Sequence, residues 1–221
     1  MDTRRTPLLL SMNGGYVDTA GFLSLHGLFT THVTGNFVTF GASLAHGASG
    51  AVAKLLALPV FCVVVVLTQL LAGALDRRAL PAFRLLLAAK AVLLAVAAAL
   101  AIHFGPFPDG DAMPALVTGM VLVSAMAMQN ATHRLHLASA PPTTVMTMTT
   151  TQIMLDVAVL LQRAPVAAEA KARIGRMVPS VVAFALGCLG AAGLFIGVGM
   201  WAFLVPPLLA IVAVAWADTR G

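Results

Sequence analysis

Two stretches of this chain place aspartate, histidine, asparagine and threonine at helical spacing inside otherwise apolar sequence. The first, GGYVDTAGFLSLHGLFTTHVTGNFVTFGASLAH, carries Asp18, His32, Thr34, Asn36 and Thr39. The second runs from Met126 to Gln162 and carries Asn130, Thr147, Thr149, Gln152 and Asp156. A charged carboxylate in the middle of a membrane helix costs about 2.5–3.5 kcal/mol on insertion scales, so it persists where it is hydrogen-bonded, wetted or carrying a proton. Asp18, flanked along one helical face by Gly14 and Gly21, is the leading functional residue. His32 has the side chain suited to relaying protons near neutral pH, though a hydrogen-bonded structural histidine fits as well. Thr34, Gly35 and Asn36 are expected to expose helix-start N–H groups that attract anions or polar solutes. The competing reading is that the threonine hydroxyls merely bond their own backbone. Asp156 reads either as part of a polar path or as an interfacial residue near Arg163.

The background to these residues is a membrane composition. Sixty per cent of the 221 residues are hydrophobic, 10% are charged and mean hydropathy is +0.96. Soluble domains carry roughly 25% charged residues, and a soluble chain this apolar would leave large greasy patches in water. The net charge of +5 does not imply nucleic acid, because the basic residues cluster in short loops. Cys62 and Cys188 lie inside apolar runs and read as small buried hydrophobes, not a disulfide or metal pair. No cleavable signal peptide is expected, since the run after Arg4 and Arg5 is soon broken by Asn13, Gly14 and Gly15.

The elements that must position the polar residues follow from hydropathy. Spans are expected near 7–28, 52–75, 82–104, 113–133, 177–198 and 200–217, each close to the ~20 residues a bilayer needs. Two threonine-rich segments, near 30–46 and 143–162, are shorter or interrupted. If both are re-entrant and the N-terminus is cytoplasmic, nearly every arginine falls inside, Arg220 included, and the Asp109–Asp111 loop falls outside. Two full crossings would invert Arg77, Arg78, Arg84 and Arg134. The expected fold is therefore all-α: a polytopic transmembrane helical bundle of six spans plus two re-entrant helices, in one domain. The spacing of Ala183, Gly187 and Ala191 predicts close helix packing within the bundle.

The two stretches also resemble each other. Setting Thr30 against Thr143 pairs Thr31 with Thr144, Thr34 with Thr147, Asn36 with Thr149, Thr39 with Gln152 and Ser43 with Asp156. With a one-residue gap, Asp18 falls opposite Asn130, while His32 meets only Val145. Two repeats, about 7–104 and 113–217, would be inverted by three spans each. Inverted repeats with broken helices near mid-membrane are the usual construction of secondary transporters.

GYVDTAGFLSLHGLFTTHVTGN resembles the signature of the YoaK-like family of small bacterial multi-pass membrane proteins, and Gln129–Asn130–Ala131 followed by Thr143–Thr144 resembles its second motif. Met148 stands where that motif usually has glycine. The resemblance covers nearly the whole chain and implies a bacterial plasma membrane location, with a family of unknown function.

Three functions are weighed. The first is a small secondary transporter or channel for a polar solute or ion, with both termini cytoplasmic. The second is a non-transporting scaffold or accessory subunit. An enzyme is not expected, for no nucleophile motif, metal-ligand spacing or phosphate loop is present. No cofactor is expected either, and His133, Arg134 and His136 read as a solvated helix end, not a metal site. The lipid bilayer is the expected partner. A homo-oligomer is allowed by the sequence, but nothing in it argues for one.

Overall fold

A computed structural model describes residues 5–144, 146–162 and 166–217. Arg4, Val145, Arg163 and Arg220 lie outside the described residues. Among the described residues eight α-helices follow in order: α1 Arg5–Ser24, α2 Asn36–His46, α3 Ala51–Arg77, α4 Ala82–Phe104, α5 Met113–His136, α6 Met146–Leu161, α7 Ala167–Val198 and α8 Val205–Trp216. Among the described residues there is no strand. Four helical stretches are long and apolar enough to cross a membrane: Ala51–Arg77, Ala82–Phe104, Met113–His136 and Ala167–Trp216.

The last of these stretches is interrupted where a hydrophobic run alone shows little. Gly199 adopts φ +59 and ψ −131, and a 3-10 turn over Gly199–Leu204 follows before α8. Tyr16 donates its hydroxyl to the Ala202 carbonyl (2.8 Å) and Asn13 its amide to the Pro206 carbonyl (3.2 Å), while Leu10 packs with Ala213 and Ala217. As α1 ascends, α8 therefore descends. α7 begins at Ala167, well before the expected 177, because AAEAKARIGR continues the helix.

α1 is the buried axis of the bundle. It is too polar to rank with the four apolar stretches, and Asn13, Asp18 and Ser24 are all buried. Its helix ends at Ser24, not at the expected 28, because His26 (φ 52) and Gly27 (φ 82) turn left-handed. Its main neighbour is α7. A Cβ on Gly15 would sit 2.2 Å from the Phe184 carbonyl oxygen, and one on Gly187 would sit 2.0 Å from that of Met12. The small-residue spacing thus lets two backbones touch within the bundle. Elsewhere α3 packs on α5, α4 on α5 and α8, α2 on α3, and α6 on α7.

The outside is greasier than the inside. Ile196, Leu161, Val38 and Met148 stand exposed, whereas Lys90, Gln129, Thr118 and Asp18 are buried. That inversion is stable against hydrocarbon and costly against water. Cys62 corrects the expectation of burial: it is exposed on α3, while Cys188 is half-buried with its thiol on the Gly15 carbonyl.

One loop cluster fixes the ends of the first half. A Cβ on Gly50 would sit 3.1 Å from His26 and one on Gly110 2.9 Å from the Gly50 Cα, and the His26 ring bonds the Phe107 carbonyl (2.8 Å). Asp111 accepts the Gly50 and Val52 N–H groups at 3.0 and 2.8 Å. Ser49 donates to Asp109, and that bond with the Asp111 N–H holds the Asp109 carboxyl below its ordinary pKa.

Candidate functional site

Asp18 is delivered by α1 about a turn and a half before that helix ends. After Gly27 the chain doubles back along α1, so Thr30 and Thr31 present consecutive N–H groups to one carboxylate oxygen, both at 2.8 Å. The other oxygen pairs with His32 Nδ1 at 2.6 Å. The ring is thus held through Nδ1, with Nε2 on its far side. The His32 side chain is about one-third exposed at 32% and lies edge-on to Phe184. Asp18 pairs with His32 instead of with Asn130.

α5 builds a second station the same way. Asn130 accepts the Thr144 hydroxyl and donates to the Met126 carbonyl (3.1 Å). Beside it, Gln129 donates to Thr143 Oγ1 (3.1 Å) and to the Leu10 carbonyl (3.0 Å), while Lys90 Nζ donates to Gln129 Oε1. The two threonine doublets meet at one turn of α1. Thr31 Oγ1 donates to the Gly14 carbonyl (3.4 Å), and the Thr143 carbonyl covers the bare face of Gly14, where a Cβ would sit 2.9 Å away. Glycine is required here because a second backbone occupies the space of its side chain.

On the two short helices, α2 and α6, most of the polar side chains bond within the bundle. Asn36 clips the turn shut, accepting from Phe29 N (2.9 Å) and donating to Phe29 O (2.7 Å). This is why α2 starts at Asn36 and not near residue 30. Thr39 bonds the Asn36 carbonyl, and Thr34 is exposed. Ser43 accepts Lys54 Nζ at 2.6 Å. On α6, Thr147 is exposed, with its carbonyl accepting the Thr151 hydroxyl, and Thr149 is buried. Gln152 donates to Asp156 (3.1 Å), and Arg173 grips Asp156 through two nitrogens at 2.6 and 3.0 Å. Ser43 and Asp156 thus tie each short helix to the helix that follows it. α2 packs on α3, and α6 on α7.

A cavity of about 990 Å³, partly open to the outside, lies between α3, α5, α6 and the 137–144 turn. Asn130, Thr143, Thr144, Thr149 and Gln152 give it polar wall, with Gln69 opposite from α3. His133 and Arg134 also line it. His133 is not solvated as expected: it is buried, with its ring bonded to the Pro141 carbonyl (3.1 Å), while Arg134 is exposed. Asp18, His32, Asn36 and Thr39 lie outside this lining.

Residue pattern alone misses Lys90, Gln129, Lys54 and Arg173. A lysine amid the apolar run 82–104 is a signal for the first, and its neighbourhood with Asn130 is a signal for the second. Among the described residues no three His, Cys, Asp or Glu side chains group as metal ligands.

No curated protein matches the chain, and no solved structure does. A family model described as "Protein of unknown function (DUF1275)" matches residues 6–216. That range takes in both stations, the cavity and all eight helices but the first residue of α1. The chain belongs to the DUF1275 family, consistent with its YoaK-like motifs.

Proposed function

We propose that this protein is a small transporter or channel of the bacterial plasma membrane, moving a polar solute or ion through the cavity beside α6. The observation that carries the reading is a roomy cleft beside α6, partly open to the outside, whose mainly apolar wall carries Gln69, Asn130, Thr143, Thr144, Thr149 and Gln152, in a bundle whose outer surface is apolar. The reading includes six spans and two re-entrant helices, with cytoplasmic termini. In its support, a Cβ on Gly50, the residue before α3, would sit 3.1 Å from His26, just past the end of α1, so the segment between them leaves and returns at one level. α2, at 11 residues, is about 16 Å long, half a hydrocarbon core.

An inverted repeat is part of the same proposal. If α1 to α4 correspond to α5 to α8, the α1–α7 contact matches α5–α3, α2–α3 matches α6–α7, and α1–α8 matches α5–α4. Asp18 accepts from Thr31 and Asn130 from Thr144 at corresponding positions, through a backbone N–H in the first case and a hydroxyl in the second. Such repeats let one half rock against the other around a central site.

The test is solute and proton flux in proteoliposomes, comparing wild type with Gln152→Leu and Thr149→Val, which make the cavity wall apolar. Loss of flux with normal folding supports the reading. A cavity wall that can be made apolar without affecting any flux sinks it. A scaffold role is the second reading, favoured by the ties that Asp18, Asn36 and Asp156 make within the bundle. It requires that those substitutions change stability alone.

A further inference from the structure

We propose that the cavity beside α6 selects small anionic solutes, carboxylates or inorganic phosphate, recognised by Arg134 and by a hydrogen-bond donor relayed from Lys90. This assignment rests on the transport reading and names its substrate class.

The relay follows from which atoms must donate. Lys90 is 1% exposed, and its Nζ donates to Gln129 Oε1. On the other side of the amide lies the Leu10 carbonyl, which can only accept, at 3.0 Å from Gln129 Nε2. That fixes the orientation of the Gln129 amide, which two-fold ambiguity would otherwise leave open. Nε2 must then donate, and it does, to Thr143 Oγ1. With its oxygen accepting, the Thr143 hydroxyl keeps its own proton to offer onward, and no acceptor for it exists among the described residues. Thr143 lines the cavity. The hydrogen-bond chain from Lys90 through Gln129 thereby leaves an O–H donor at the cavity wall.

Charge in the lining points the same way. Arg134 belongs to it, and no aspartate or glutamate does among the described residues. Asp156, a short way along α6, is neutralised by Arg173. A positive group without a compensating carboxylate raises the local concentration of anions in a walled cleft, and cations gain nothing there.

Binding to the full-length protein in phosphatidylcholine nanodiscs tests this, with sodium acetate, sodium succinate and inorganic phosphate as probes. Mannitol and choline chloride serve as neutral and cationic controls, and nanodiscs containing phosphatidylglycerol test a lipid headgroup as the source of the anion. At least one soluble anion is expected to saturate. Its affinity should fall about tenfold or more in Arg134→Gln and in Thr143→Val, as expected for losing a charge-assisted donor. Thr143→Ser, which keeps the hydroxyl, should bind like wild type. Arg134 is exposed, so its variant folds even if the buried Thr143→Val does not. Saturation by mannitol or choline but by no anion overturns the assignment and leaves transport standing. Stabilisation only by phosphatidylglycerol, or anion affinity unchanged in Arg134→Gln, overturns it too. Anion binding with no flux of any solute keeps the assignment and removes transport.

Discussion

Replacing Asp18 separates two ways of losing an interaction. Its carboxylate accepts two backbone N–H groups at 2.8 Å and the His32 ring at 2.6 Å, in a site where Thr30 and Thr31 are themselves buried. Asp18→Ala leaves those two amides without a partner, at about 1–3 kcal/mol each, so a loss of about 3–5 kcal/mol is expected. Asp18→Asn keeps a carbonyl oxygen for the same two amides. It loses only the charge assistance and the His32 acceptor, about 2 kcal/mol. At ~2–4 °C per kcal/mol for a chain of this size, the alanine variant should melt ~6–20 °C lower and the asparagine variant ~4–8 °C lower. The assay is thermal unfolding in nanodiscs, followed by tryptophan fluorescence. Equal losses in the two variants would show that the amides find other partners, and an alanine variant as stable as wild type would refute the capping argument. Asn130, which already holds the second threonine doublet through Thr144, shows how an amide fills such a station.

Other outcomes follow from single contacts. Gly187→Ala should abolish monodisperse elution in size-exclusion chromatography, because the new methyl meets the Met12 backbone at 2.0 Å; Gly193→Ala, with nothing within 4 Å, should elute normally. Arg173→Met should lower the melting temperature by unpairing buried Asp156, and the double variant Asp156→Leu/Arg173→Met should recover most of the loss. The Asp109 carboxyl is held below its ordinary pKa by Ser49 and the Asp111 N–H, so its contribution is present above the unfolded value and lost as pH falls through the folded one. Thermal stability should therefore decline between pH 5 and 3 less steeply in Asp109→Asn than in wild type. Cysteines at Gly47 and Ala140 should be labelled from opposite sides, Gly47 from outside; labelling from the reversed sides would show that both short helices cross.

What the sequence determined by itself is what depends on local composition and spacing. Apolar runs of the length of a bilayer fixed the class, and the positions of α3, α4 and α5 followed within a few residues. The contiguous motif around Asp18 fixed the family, and the matched threonine doublets pointed to the two stations. Helix ends were less legible. His26 and Gly27 end α1 early through left-handed backbone, and Asn36 delays α2 by bonding Phe29, both effects of turns that hydropathy does not register. Partnerships belonged to the tertiary structure alone. Asp18 could have faced Asn130, but the chain's return along α1 brings His32 to it first. Asp156 is held by Arg173 because α7 extends ten residues beyond its apolar core. Lys90 reaches Gln129 across two helices, and the cavity opens where α3, α5 and α6 fail to close on one another. Hydrogen bonds and cavities depend on distances between residues remote in sequence, and only the packing of the bundle sets those distances.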